Sequence, residues 1–118
     1  MSDPIAKTST ITIRVGLDET GIPTAINWEA EDAPELKDPV ACKAMLLSFF
    51  NAQTKETMKI DLWTKDMQVV EMDRFIFQTL RAMADTYFKA TQNSKLAADM
   101  QRFVQYFGEQ TEIIPRQQ

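Results

Sequence analysis

A regular alternation of apolar and polar side chains constrains this chain more than any other feature of its sequence. From Ile11 to Leu17, large aliphatic residues occupy every second position, with threonine, arginine and glycine between them. Successive side chains of a β-strand point to opposite faces, so this pattern predicts a strand with one buried face. The turn-forming residues Asp18–Gly21 follow, and Ile22–Trp28 continue as a second strand, although Pro23 cannot donate a ladder hydrogen bond. We expect the two strands to form a hairpin.

The segment Thr57–Thr64 has the same period of two and predicts a third strand. One of its faces is aliphatic, and the other is charged except for one tryptophan. The aliphatic face holds Met58, Ile60 and Leu62, and the other face holds Lys59, Asp61 and Trp63.

Apolar residues at three-four spacing predict three helices. The first is expected over about Pro39–Gln53, after an acidic loop at Glu31–Pro39, with the aspartate before that proline as its N-cap. The second covers about Val69–Gln92, and Asp66 can cap it. The third follows Ser94, which can serve as its cap.

The predicted class is therefore α+β, with the element order strand, strand, helix, strand, helix, helix. We expect a three-stranded antiparallel sheet of order 2-1-3 with all three helices packed on one face. Its inward-pointing residues would be Ile11, Ile13, Ile26, Trp28, Ile60 and Leu62. A length of 118 residues suits a single domain, residues 1–118, with flexible ends at about 1–8 and 112–118.

Trp63 is the anomaly in this arrangement, because it shares a face with charged residues. In one interpretation the long helix, the N-terminal arm or a second subunit covers it. In the other it anchors a different protein, and the charges around it form the rim of the interface. The candidate interaction surface is Trp63, Asp61, Lys59 and Lys65. A short sheet with open edges also favours a homodimer.

The sequence lacks the residue types on which much enzyme chemistry depends. It contains no histidine, the commonest general base and metal ligand, and no phosphate-binding or dinucleotide-binding glycine motif. The acidic group Asp61, Asp66, Glu71 and Asp73 lacks the spacing and the glycine of a calcium loop. Cys42 falls on the apolar face of the first predicted helix, where a buried, inert thiol is expected. We therefore expect no catalytic, cofactor-binding or metal-binding residues and no enzyme activity.

The charge and the hydropathy of the chain limit the classes of binding partner and the cellular location that the sequence supports. The net charge is −4 and the pI is near 4.8, so the chain lacks the positive charge that supplies most affinity for nucleic acids and anionic membranes. The N-terminal segment does not resemble a signal peptide, and no apolar run approaches the roughly 18 residues of a membrane span. These features predict a soluble cytoplasmic protein that neither binds nucleic acid nor inserts into a membrane.

Two stretches, "MLLSFFNAQTKETMKIDLWTKDM" and "QTLRAMADTYFKAT", resemble the gliding-motility protein GldC family. The core of the resemblance is "IDLWTKDM" at Ile60–Met67, with "QTL" at Gln78–Leu80 and "MADT" at Met83–Thr86. Many relatives have proline after the final methionine of the first motif, where this chain has Gln68. That difference bears on where the following helix begins.

The resemblance implies a small cytoplasmic accessory protein of the gliding-motility machinery, with protein partners in a motility or envelope machine. It implies no known enzymatic activity and carries over no ligand or catalytic residues. From the residues alone, an acidic chaperone for a secreted or assembling client fits the size, the acidity and the α+β class equally well. A small-molecule binder or enzyme is a third hypothesis, which the missing chemistry disfavours.

Overall fold

The structure is a computed structural model that describes residues 3–33, 35 and 38–116. Within these ranges the chain forms five strands followed by two helices. The strands are β1 (Ile11–Leu17), β2 (Pro23–Ala30), β3 (Val40–Cys42), β4 (Ala44–Phe50) and β5 (Thr57–Trp63), and the helices are α1 (Val69–Thr91) and α2 (Ser94–Gln110). The α+β class is as expected, but the predicted element order and the prediction of three helices are wrong.

The hairpin of β1 and β2 forms in the antiparallel register that the alternation predicts. An aspartate organises its turn, because Asp18 Oδ1 accepts hydrogen bonds from the backbone N–H groups of Thr20 and Ile22 at 2.9 and 3.0 Å. Gly21 has a φ of +83°, a conformation that glycine adopts without a steric penalty. The residues Asp18–Gly21, which the sequence predicts to be turn-forming, therefore form the turn of this hairpin.

The predicted helix over Pro39–Gln53 is wrong, because this segment forms β3 and β4 on either side of Lys43. Nearly every residue from Val40 to Phe50 is apolar, so the run fits helical spacing and strand alternation equally well. Pairing decides between them: β3 pairs with β2, and β4 pairs with β5. Part of the predicted acidic loop at Glu31–Pro39 lies outside the described residues.

The predicted sheet order 2-1-3 is also wrong. The strands form two antiparallel sheets, one of order β1-β2-β3 and one in which β4 lies beside β5. Strand β5 was expected to pair with β1, but it pairs instead with β4, the strand that the prediction missed. Of the six residues expected to point inward, Ile26 is buried and three are half-buried, whereas Ile11 and Ile60 are exposed.

Helices α1 and α2 match their predicted ranges closely, but their caps differ. Gln68 and Asn93 occupy the N-cap positions, rather than Asp66 and Ser94. Asn93 Oδ1 accepts a hydrogen bond from the backbone N–H of Leu96 at 3.0 Å, which satisfies one free donor in the first turn of α2. The capping residue is therefore one position before the serine.

The chain divides into two compact units, one up to Met67 that contains the strands and one from Gln68 that contains the helices. Among the described residues of the strand unit, Ile26 is the buried apolar one. The buried apolar residues of the helical unit are Phe77, Ala84, Ala97 and Val104. The single domain over residues 1–118 stays a prediction.

Candidate interaction surface

One face of the β4–β5 hairpin carries only apolar side chains, and we call it the hairpin apolar face. The antiparallel register places three pairs on this face: Met45 opposite Leu62, Leu47 opposite Ile60, and Phe49 opposite Met58. Phe49 is 60 % exposed, Met58 68 % and Ile60 50 %. A contiguous exposed apolar patch of this kind is typical of a site where another molecule binds.

The turn between β4 and β5 sets the register of this face. The backbone N–H of Asn51 donates to the Glu56 carbonyl at 2.8 Å, and Asn51 Oδ1 accepts from the N–H groups of Gln53 and Thr54 at 2.8 and 2.9 Å. Lys55 has a φ of 62°, which returns the chain toward β4. Because strand side chains alternate between faces, a register held at the turn keeps all six apolar residues on one face.

An open groove of about 610 Å³ adjoins the hairpin apolar face within the strand unit. Its lining is almost entirely apolar and consists of Ile11, Ile13, Leu46, Leu47, Ser48 and Phe49. Phe49 and Leu47 belong both to the groove and to the hairpin apolar face. The groove is therefore a place where an apolar side chain of a binding partner can enter.

The predicted residues Lys59, Asp61 and Trp63 lie together on the opposite face of β5. Lys59 Nζ lies 3.3 Å from the Asp61 carboxylate. Trp63 lies opposite Ala44 in the ladder and is 52 % exposed. The tryptophan thus points away from Ile60, as strand alternation requires, and its role in binding stays a prediction.

Lys65, the fourth predicted residue, lies beyond β5 and is held against the first hairpin. Its Nζ forms an ion pair with Asp18 at 2.9 Å, and its backbone N–H donates to the Pro23 carbonyl at 3.1 Å. The Lys65 ammonium, together with hydrogen bonds from the Ile22 N–H and the Thr20 hydroxyl, holds the pKa of Asp18 well below its usual range. The structure therefore brings together three of the four predicted residues and not the fourth.

Thr64, the residue that follows the end of β5, is buried. Its hydroxyl donates to the Asp66 carboxylate at 2.5 Å, and its backbone N–H donates to the Lys43 carbonyl at 2.7 Å. The hydroxyl hydrogen bond lowers the pKa of Asp66. Asp66, which the sequence suggested as a helix cap, thus stabilises the strand end.

A second groove, of about 670 Å³, lies within the helical unit. Its lining includes the charged and amide side chains of Arg81, Asp85, Gln78, Gln101 and Gln105. Gln78 and Asp85 lie in the motifs "QTL" and "MADT", and the sequence did not single out the other three. The Arg81 guanidinium carbon lies 5.4 Å from the centroid of the Phe77 ring, in a cation–π contact. In the described part of the chain, no three histidine, cysteine or acidic residues are grouped so as to hold a metal ion.

Sequence reasoning missed Met45, Leu47 and Phe49 as strand residues because it placed them on a helix. A partial signal was present, because the mostly polar segment 51–56 lies between this apolar run and the alternating strand at Thr57–Trp63, as in a hairpin. The run itself shows no clear period of two, since Leu46 and Phe50 are apolar as well.

The fold and this surface together define a small α+β protein that presents an exposed apolar β-hairpin. Neither α1 nor α2, the helices of the described ranges, combines the length and the apolar character needed to cross a membrane. The family model described as "Gliding motility-associated protein GldC-like" matches residues 23–113. This match covers most of the chain, so the chain belongs to the GldC-like family, and the predicted family is confirmed. Searches of curated proteins and of solved structures gave no match.

Proposed function

We propose that this chain is a non-enzymatic, cytoplasmic accessory protein that binds a protein partner of the gliding-motility machinery through the hairpin apolar face. Membership of the GldC-like family supports the connection with gliding motility. The observation that carries the binding role is the exposure of Phe49 and Met58, which pair across the two strands. A homodimer is part of the same proposal, because β1 and β5 have open strand edges.

The exposed area of these side chains is large enough to contribute to affinity. An aromatic side chain offers roughly 150–250 Å² of surface. With Phe49 60 % exposed, a partner that covers it removes on the order of 100 Å² of apolar surface from water. That burial contributes about 2–3 kcal/mol. Phenylalanine and methionine are also enriched at the cores of protein interfaces, where a few residues supply most of the binding energy.

An acidic chaperone is the second candidate function. The observation that favours it is the form of the surface, since a two-stranded apolar face with an open groove fits an extended apolar segment of a client. The net charge of −4 fits a protein that keeps such a complex soluble. The two functions differ in the state of the bound protein: an accessory protein binds a folded component, and a chaperone binds unfolded chains.

Two adjacent phenylalanines provide a matched test. Phe49 belongs to the hairpin apolar face, whereas Phe50 points to the opposite face and has a similar exposure of 66 %. Phe49→Thr and Phe50→Thr make the same chemical change and keep a residue that suits a strand. Each variant would be expressed in a gliding bacterium in place of the wild-type chain, then cross-linked in the cell and purified.

We expect Phe49→Thr to lose a stoichiometric partner that the wild type and Phe50→Thr retain. The binding role of the hairpin apolar face is refuted if both variants retain the partner, or if Phe50→Thr loses it to the same extent. Recovery of many nascent chains instead of one folded component would select the chaperone function.

A further inference from the structure

We infer that two copies of the chain join edge to edge through β5, in an antiparallel register centred on Ile60. This inference rests on the homodimer proposed above, and it specifies the strand, the register and the charges that select a second copy. In this register Lys59 of one copy lies opposite Asp61 of the other, and Ile60 meets itself at the two-fold axis. The dimer is isologous, because the same strand contributes from both copies.

Within the described part of the chain, the outer edge of β5 has no ladder partner, although β2 contacts β5. Over the residues that the structure describes, β5 pairs with β4 on one side and with no strand on the other. Residues 57–61 are all exposed. An open edge presents backbone N–H and C=O groups that a further strand can satisfy.

The hydrogen bonds at the two ends of the ladder show which residues face outward. The Glu56 carbonyl accepts a hydrogen bond from the backbone N–H of Asn51 at 2.8 Å, and the backbone N–H of Thr64 donates to the Lys43 carbonyl at 2.7 Å, so both residues bond toward β4. Residues of an antiparallel strand alternate between bonding inward and outward. The even-numbered residues of β5 therefore bond to β4, and the odd-numbered residues present their backbone groups to the open edge.

A second β5 must use the same outward groups, so odd-numbered residues pair with odd-numbered residues. In the register centred on Ile60, Lys59 pairs with Asp61 of the second copy, and the two-fold axis repeats this pair. Thr57 pairs with Trp63 of the second copy. Every outward residue of β5 is used, and the opposite charges face each other directly.

The two registers adjacent to the one centred on Ile60 are less stable, because each places like charges opposite each other. A shift of the second copy in one direction pairs Lys59 with Lys59, and a shift in the other direction pairs Asp61 with Asp61. Like charges directly opposite each other are destabilising. The second shift also runs the incoming strand past Trp63, where Lys65 N–H already bonds to the Pro23 carbonyl at 3.1 Å.

The other outer strands of the described sheets, β1, β3 and β4, lack this complementarity, and β3 and β4 contain no charged residue at all. The one charged residue of β1 is Arg14, which has no carboxylate two residues away on the same strand. The Arg14 guanidinium instead donates across the hairpin to Asn27 and Glu29 at 3.3 and 3.0 Å. The charge pattern therefore favours β5 over β1, β3 and β4 as the strand that pairs with a second copy.

Charge reversal tests the pairing directly. Lys59→Asp places two carboxylates opposite each other at each charged pair, and Asp61→Lys places two ammonium groups there. We expect each single variant to have a dimer dissociation constant about tenfold or more above that of the wild type. Sedimentation velocity over a concentration series measures this constant, and thermal unfolding of each variant measures whether the fold is intact.

Two matched controls keep the test independent of folding defects. The double variant Lys59→Asp with Asp61→Lys exchanges the two charges and should dimerise like the wild type. An equimolar mixture of the single variants should form a heterodimer with wild-type affinity, because all of its cross-strand charges are opposite.

The inference is overturned if the wild type is a monomer, and the edge of β5 would then be available to a strand of another protein. It is also overturned if the single variants dimerise like the wild type, or if their mixture does not regain wild-type dimer affinity. A wild-type dimer that is insensitive to these changes places the dimer interface elsewhere and leaves the binding role of the hairpin apolar face intact.

Cysteine cross-linking tests the register. Ile60 and its copy form a directly opposite pair whose Cα atoms would lie about 4.5 Å apart, within the range of a disulfide. In a Cys42→Ser background, we expect Ile60→Cys to form a disulfide-linked dimer under mild oxidation. Met58→Cys is the control, because Met58 would lie about 13 Å from its own copy in this register. Equal cross-linking of both variants, or of neither, would contradict the register.

Discussion

Gly108 of α2 offers a test in which helix propensity and packing oppose each other. Glycine in a helix interior is less favourable than alanine by about 1 kcal/mol, so on propensity alone Gly108→Ala should stabilise the protein. Gly108 is buried, however, and a Cβ at this position would lie 2.6 Å from Cε1 of Phe77 and 2.8 and 2.9 Å from Cγ1 and Cδ1 of Ile114. These distances are too short for carbon atoms, so the neighbours must move.

Neither neighbour moves easily. Phe77 is buried in α1. Ile114 is attached close to the substituted residue, because the N–H groups of Ile113 and Ile114 donate to the Gly108 carbonyl at 2.9 and 3.2 Å. Overpacking of a core costs about 1–3 kcal/mol, and contacts with two anchored side chains place this site in the upper part of that range. Subtracting the propensity gain leaves a net loss of about 1–2 kcal/mol.

Thermal and urea unfolding followed by circular dichroism at the helix band measures this loss. We expect Gly108→Ala to lower the Tm by about 4–8 °C, given that 1 kcal/mol shifts the Tm of a chain of this size by roughly 4 °C. Ala82→Gly, at an exposed position in the middle of α1, is the control that measures helix propensity alone and should cost about 1 kcal/mol. A Gly108→Ala variant more stable than the wild type would refute the argument, because it would show that Phe77 and Ile114 relax without cost.

Other substitutions give further expected outcomes. Trp63→Ala should destabilise the isolated chain by about 2 kcal/mol, because the tryptophan is 52 % exposed. Trp28→Ala should cost more, and equal losses of unfolding free energy in denaturant would place both tryptophans in a core. The pKa of Asp18 is lowered by Lys65, so this contact stabilises the fold above the ordinary carboxylate pKa and is lost as pH falls toward the depressed value. Asp18→Asn should therefore flatten the acid limb of a plot of stability against pH, and an unchanged limb would contradict this account. Asn93→Ala should cost about 1 kcal/mol by removing the cap of α2, whereas Asn93→Asp should retain most of the stability; equal losses would argue against a capping role.

The features that the sequence predicted correctly depend on interactions between residues close together in the chain. The alternation in Ile11–Leu17 and the Asp18 turn are sufficient to predict the first hairpin, because the strand period and the turn hydrogen bonds are local. The long apolar stripe of α1 likewise predicts its range within one residue. Strand alternation also places Trp63 and Ile60 on opposite faces of β5, whatever the strand pairs with.

The features that failed depend on partners distant in the chain. Val40–Phe50 is apolar at nearly every position, so its own pattern fits a helix and a strand, and only pairing with β2 and β5 selects the strand. Because of this pairing, β5 lies beside β4 and not beside β1 as predicted, and the described residues form two helices where three were predicted. Exposure depends on tertiary structure in the same way: alternation shows which side of a strand Ile60 occupies, but whether that side is covered is decided by what packs against it. In this structure Ile60 stays 50 % exposed, and this tertiary outcome turns a predicted core residue into part of a candidate binding surface.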